Sequence, residues 1–149
     1  MTFDDLPRVA LTHEPTPLEA LGGLHQQLGG PRVWVKRDDC TGLAGGGNKT
    51  RKLEYLIAEA EAEGADAVVT FGALQSNHAR QTAAACAKRG LACDLILVPA
   101  VPREVDGYPR SGNLLLDRLL GARIHPLEAG QAPAEVLKTV LAEHAAEGR

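Results

Sequence analysis

The chain has 149 residues, 44% of them hydrophobic and 23% charged, the balance of a soluble domain able to bury a continuous core. Sixteen Lys and Arg against nineteen Asp and Glu leave a formal charge of −3, and only 3% of the residues are aromatic, so neither a basic face nor a base-stacking platform for nucleic acid is expected. No apolar run is long enough to span a bilayer, and the stretch from Met1 to Asp5 lacks a basic region followed by a hydrophobic one, so a cytoplasmic protein is expected.

The first thirty residues are rich in Pro and Gly and lead into Val33-Trp34-Val35, a short β-type run before Lys36-Arg37-Asp38-Asp39. From Thr50 the period changes. Leu53, Leu56, Ile57 and Ala60 stand at i, i+3, i+4 and i+7 and predict one apolar helix face, which Gly64 ends. The chain then alternates: a buried strand over 67–71, an Ala-rich helix over 77–88, a strand over 95–98, a helix over 113–120, a strand over 122–125 and a helix over 134–146. In that last helix Val136, Leu137, Val140 and Leu141 share one side. Repeated βα units predict an α/β fold with a parallel sheet flanked by helices. In such sheets ligands collect at the carboxyl ends of the strands, which directs attention to the loop over 72–77.

Gly45-Gly46-Gly47-Asn48-Lys49 is a backbone-exposed turn that delivers a lysine to the start of a helix, with Arg51 and Lys52 close behind. A lysine amine is a useful nucleophile when neighbouring cations or desolvation disfavour its ammonium form, and Arg51 and Lys52 are candidates for that bias. On its own the segment reads first as a glycine turn before a solvated basic helix start, and it matches neither GxxxxGK[ST] nor GxGxxG. Gln75-Ser76-Asn77-His78 follows a predicted strand and opens a predicted helix, so unpaired backbone N–H groups and the positive end of the helix dipole meet there. An amino-acid carboxylate suits that place, with the Ser76 hydroxyl and the Asn77 amide as further donors; a plain helix cap by Ser76 or Asn77 is compatible with the same role.

Other chemistries find less support. GxSxG is absent around Ser76, and His13, His25, His78, His125 and His144 show neither HxxxH nor HExxH spacing, so no hydrolase triad and no metal centre are expected. Asp38 and Asp39 are adjacent on a segment read as extended, where their side chains diverge. Tyr108 lies in a turn-like sequence. Cys40, Cys86 and Cys93 are odd in number and form no CxxC pair, so idle thiols are expected.

Three segments in order carry a family signature: KRDDCTGLA running into GGGNKTRKLEYL, then LQSNHARQTAA, then SGNLLLDRLLGA, with Pro15-Thr16-Pro17-Leu18 ahead of them. Together they resemble the D-cysteine desulfhydrase and aminocyclopropane-carboxylate deaminase family of pyridoxal phosphate (PLP) enzymes, of the tryptophan-synthase-β-like fold type II. The resemblance implies that Lys49 holds PLP as a Schiff base and that Asn77 hydrogen-bonds the cofactor's phenolic oxygen. It also implies that Ser76 stands beside that linkage and that Gln75, Ser76, Asn77 and His78 receive the substrate carboxylate. Lys49 and Ser76 are the expected catalytic residues, with no metal.

Implied with these are a small amino-acid substrate, no nucleic-acid or membrane partner, and a homodimer in the full-length form. Residues 1–50 are expected to begin the larger domain and 51–149 to form most of the smaller one. The glycine-rich loop for the PLP phosphate and the remainder of the larger domain are expected to lie beyond Arg149. In this family Gln follows the Ser-Asn pair in aminocyclopropane-carboxylate deaminases and His in desulfhydrase-like members, so His78 points to β-elimination from D-cysteine, yielding pyruvate, ammonia and sulfide. Deamination of aminocyclopropane carboxylate and loss of sulfite from cysteate are the alternative activities, and a truncated non-catalytic α/β binding module is the alternative of another class.

Overall fold

The computed structural model describes residues 5–101, 106–128 and 130–148. Near the start, β1 (Leu18–Ala20) pairs antiparallel with β2 (Trp34–Lys36), Leu18 facing Lys36 and Ala20 facing Trp34, and α1 (Gly22–Leu28) links them. The strand expected at Val33 to Val35 thus sits one residue later, and β1 and α1 were not anticipated. All three residues of β1 are exposed and no residue of α1 is buried, so neither carries the apolar periodicity by which such elements are recognised.

Two short 3₁₀ turns follow, Asp38–Thr41 and Leu43–Gly45. They correct the extended reading of Asp38 and Asp39: the two carboxylates stand on a tight turn and each has its own arginine, Asp38 binding Arg51 and Asp39 binding Arg37.

The remaining elements are α2 (Lys49–Ala62), β3 (Ala67–Ala73), α3 (Asn77–Arg89), β4 (Ala92–Val98), α4 (Gly112–Leu119), β5 (Arg123–Pro126) and α5 (Pro133–Ala146). The three strands form one parallel sheet in the order β3-β4-β5, with Val69 facing Asp94 and Asp94 facing Arg123. Central β4 is buried from Cys93 to Leu97 because it has a strand on each side and helices on its faces, whereas edge strand β3 is only half-buried.

The small side chains of α3 let it approach β4 closely: Ala79, Ala83, Ala85 and Cys86 are wholly buried there, together with Leu95, Leu97, Leu53, Ile57 and Leu114. Each buried leucine or isoleucine contributes roughly 2 kcal/mol of transfer free energy. Two sequence expectations fail locally. Leu56 and Leu141 are exposed although each falls on the apolar side of its helix, because only one flank of that side is covered, by α3 for α2 and by β4 for α5.

Two buried carboxylates pin the layers. Glu54 on α2 accepts the N–H groups of Leu11 and Thr12 at 2.9 and 2.7 Å and pairs with Arg8, tying the N-terminal segment to the core. Asp94 on β4, wholly buried, is bound by Arg123 and His125 from β5 and by His144 from α5 at 2.7–2.9 Å. Burial pushes the Asp94 carboxyl up, but hydrogen bonds from His125, Arg123 and His144 outweigh it and hold the group below its ordinary value.

Candidate active site

Lys49 is the first residue of α2 and Ser76-Asn77 opens α3, so both lie at helix N-termini. The approach to Lys49 is built by the turn over 41–48. Thr41 Oγ1 accepts the Gly47 N–H at 2.8 Å and donates to the Gly47 carbonyl at 2.9 Å, which closes the loop. At Gly46, φ is +78° and an added Cβ would stand 1.8 Å from the Asp39 carbonyl oxygen, so only glycine fits.

Two side chains from α3 then fasten this loop. Arg80, buried, donates to the carbonyls of Ala44 and Gly46, the latter at 2.8 Å. Gln81, also buried, accepts the N–H and hydroxyl of Thr50 at 3.0 Å each and donates to the Asn77 carbonyl at 2.7 Å. A single amide therefore spans the start of α2 and the start of α3.

Lys49 Nζ makes only an exposed bond to Asn48 Oδ1 at 3.1 Å, leaving the amine accessible. Of the two cations expected to bias it, Arg51 is occupied: it grips Asp38 at 2.8–3.0 Å and Thr16 at 2.7 Å, so its charge is offset. Lys52 remains, lining a groove of about 190 Å³ with Leu56, Thr70, His78 and Thr82.

At the other terminus, Ser76 adopts extended geometry and its Oγ accepts the Ala79 N–H at 3.2 Å, a helix cap. The N–H groups of Asn77 and His78 have no backbone partner among the described residues and open toward the loop. Gln75 is differently employed from the side-chain role expected of it: Nε2 donates to the carbonyls of Tyr108 and Ser111, and Oε1 accepts the Asn113 N–H. His78 Nε2 lies 3.0 Å from Thr70 Oγ1, and its buried Nδ1 has no partner among the described residues. Burial first, then the charges of Lys52 and Lys49, lower the His78 pKa from 6.5, so the ring is neutral at pH 7.

The structure thus brings Lys49, Ser76, Asn77 and His78 to the carboxyl end of β3, while the Gln75 side chain turns away to α4. Arg80, Gln81, Thr41, Thr70 and Asn113 were not singled out from sequence. Arg80, Gln81, Thr41 and Asn113 lie inside the three signature segments, the one signal by which they were discoverable. Among the described residues no three His, Cys, Asp or Glu side chains gather to hold a metal ion, and no helix is long and apolar enough to cross a membrane.

A parallel α/β sheet whose strand ends present an accessible lysine, an imidazole and an open helix N-terminus sets an amine nucleophile beside N–H groups suited to an anion. The donor set fits PLP: an amine for its aldehyde, an amide beside it, and an orphaned ring nitrogen nearby. Comparison with known proteins agrees. The profile of the family described as "Pyridoxal-phosphate dependent enzyme" matches residues 9–149, and the chain belongs to that family.

The chain is similar to a 1-aminocyclopropane-1-carboxylate deaminase of Methylobacterium nodulans, 49% identical over 86% of this chain and 39% of the relative. It is also similar to a D-cysteine desulfhydrase of Salmonella paratyphi B, 45% identical over 95% of this chain and 43% of the relative. A crystal structure of an "ACC deaminase homologue" superposes with a TM-score of 0.81 at 39% identity, covering 98% of this chain and 43% of that one. The chain therefore spans about two fifths of the length of these relatives.

Proposed function

We propose that this chain forms the lysine-bearing side of a PLP-dependent lyase that removes the β-substituent of a small amino acid, in the manner of a D-cysteine desulfhydrase. The observation that carries the reading is the bridge made by Gln81, which sets the accessible amine of Lys49 beside the open start of α3. PLP, when bound, supplies the electron sink that stabilises negative charge at the substrate Cα.

The chain's own groups do the rest. Lys49 Nζ would hold PLP through its aldehyde and, as a free amine, would be the base that takes the α-proton. The N–H groups of Asn77 and His78 receive the carboxylate at the positive end of the α3 dipole. Because Ser76 Oγ accepts from Ala79, its own O–H is left to donate toward the bound group. With the α-proton gone, the Cβ–S bond breaks and sulfide leaves, and the resulting enamine takes up one water to give pyruvate and ammonia. The neutral His78 ring, set by Thr70 at the groove wall, favours this reading, since His follows the Ser-Asn pair in desulfhydrase-like members.

Deamination of aminocyclopropane carboxylate is the second reading, supported by the name of the Methylobacterium relative. On either reading residues 1–50 belong to the larger domain and 51–149 to the smaller, and the complete form is a cytoplasmic homodimer. Incubation with PLP, borohydride reduction and peptide mapping test the lysine. The adduct is expected on Lys49, and an adduct elsewhere overturns the assignment. Sulfide, sulfite and 2-oxobutyrate release then choose among D-cysteine, cysteate and the cyclopropane substrate.

A further inference from the structure

The third signature segment has so far no role in the chemistry, yet its Asn113 makes three hydrogen bonds to the 75–77 loop. Its backbone N–H, one of the open donors at the start of α4, is taken by Gln75 Oε1 at 2.8 Å. Its side-chain Nδ2 donates to the Gln75 carbonyl at 2.8 Å and to Asn77 Oδ1 at 2.9 Å. At Gly112, where φ is +58°, an added Cβ would meet Gln75 Oε1 at 2.6 Å, so the close seat of Gln75 on α4 requires that glycine.

The direction of these amides is fixed by chemistry. A backbone carbonyl only accepts, so the Asn113 group facing the Gln75 carbonyl must be its NH₂. The second proton of that NH₂ then points at Asn77 and demands an oxygen there. Asn77 is thereby held with Oδ1 toward α4 and with its own NH₂ turned away, without a partner among the described residues.

We propose that Asn113 is a positioning residue that fixes the side-chain amide of Asn77, through the Nδ2–Oδ1 hydrogen bond, so that Asn77 presents its NH₂ as a donor to the ring oxygen of PLP. The inference rests on the PLP reading of the site. It assigns a purpose to the contact between α4 and the loop: an untethered asparagine populates both amide orientations before the cofactor arrives, and Asn113 removes the one that would set a carbonyl against that anionic oxygen.

Two isosteric substitutions separate positioning from mere support. Asn113→Asp loses both side-chain donations, whereas Asn77→Asp keeps the acceptor for Asn113 and loses only the donor aimed at the cofactor. In the protein without PLP, side-chain amide exchange followed by NMR is expected to be slow for Asn113 and fast for Asn77. Asn113→Asp is expected to speed backbone amide exchange over 75–79 about tenfold, and Asn77→Asp to leave it within about twofold of the parent. With PLP attached, both variants are expected to move the pH at which the cofactor absorption changes, in the same direction and by about one unit.

An Asn113→Asp variant that speeds exchange but keeps the parent's absorption profile overturns the proposal, as does a slow Asn77 amide beside a fast Asn113 amide. The latter measurement needs no variant and stands even if Asn113→Asp fails to fold. Absence of PLP from Lys49 in the complete form defeats the proposed function by itself, while the exchange pattern still judges the hold of Asn113 on Asn77.

Discussion

The two ends of the parallel sheet carry polar clusters of opposite character. Toward the amino end, Asp94 is buried and closed: Arg123, His125 and His144 occupy its carboxylate from two other elements. At the carboxyl end, the cluster is open: the Lys49 amine is accessible, and among the described residues the NH₂ of Asn77 and the buried His78 Nδ1 have no partner. A charge enclosed by its partners contributes to holding strands and helices together, while polar groups fastened through their neighbours but left unsatisfied themselves are prepared for a ligand.

The comparison is sharpened most by Lys49→Ala. With PLP supplied it is expected to lower kcat by at least ~10³-fold, the scale of a lost proton-transfer group, while leaving the urea midpoint of the PLP-free protein unchanged, because among the described residues Nζ makes only one exposed hydrogen bond. A large drop in stability would show that the carboxyl-end cluster is structural after all.

Asp94→Ala is the opposite case. It is expected to cost about 3 kcal/mol in denaturant unfolding, since it removes the acceptor shared by Arg123, His125 and His144, of which Arg123 keeps Glu147. The Asp94 pKa is lowered on folding, so its contribution is present above the ordinary value of 3.8 and is lost as pH falls through the depressed folded value. The variant should therefore lose part of the acid limb of the stability profile.

Asp117 tests the middle ground. It is wholly buried on α4, neither oxygen has a partner among the described residues, and burial raises its pKa from 3.8 to about 6, with Arg80 and Arg118 only partly compensating. A raised folded pKa favours folding below the unfolded value and costs stability as pH rises through the folded one. Asp117→Asn should accordingly add up to about 3 kcal/mol at about pH 8 and nothing near pH 3.5, measured by thermal unfolding across that range. Equal stability at both pH values would mean that a partner compensates the Asp117 charge.

Much of this was legible before any coordinates. The period-3.6 pattern of Leu53 and Ile57 and the apolar strand runs specify local geometry directly, and the βα alternation predicts the parallel sheet that is observed. Lys49 and the 75–78 loop were found because chemistry-bearing residues at predicted helix starts have few bland explanations when three segments agree. Arg80, Gln81 and Asn113 were passed over because a polar residue inside a helical pattern reads as a solvated face until its partner is known. Their partners lie 31–38 residues away in sequence.

The amino-acid sequence by itself determined the order of the elements from α2 onward, the family and the position of the candidate lysine, since these depend on local propensity and on residue types at short spacing. Only the tertiary structure decided which polar groups are spent and which are left open. That Arg51 belongs to Asp38, that the Gln75 amide belongs to α4, and that Asn77 keeps a free NH₂ all follow from hydrogen bonds between distant segments. Each donor and acceptor can be satisfied in many ways along a chain, and only packing selects one.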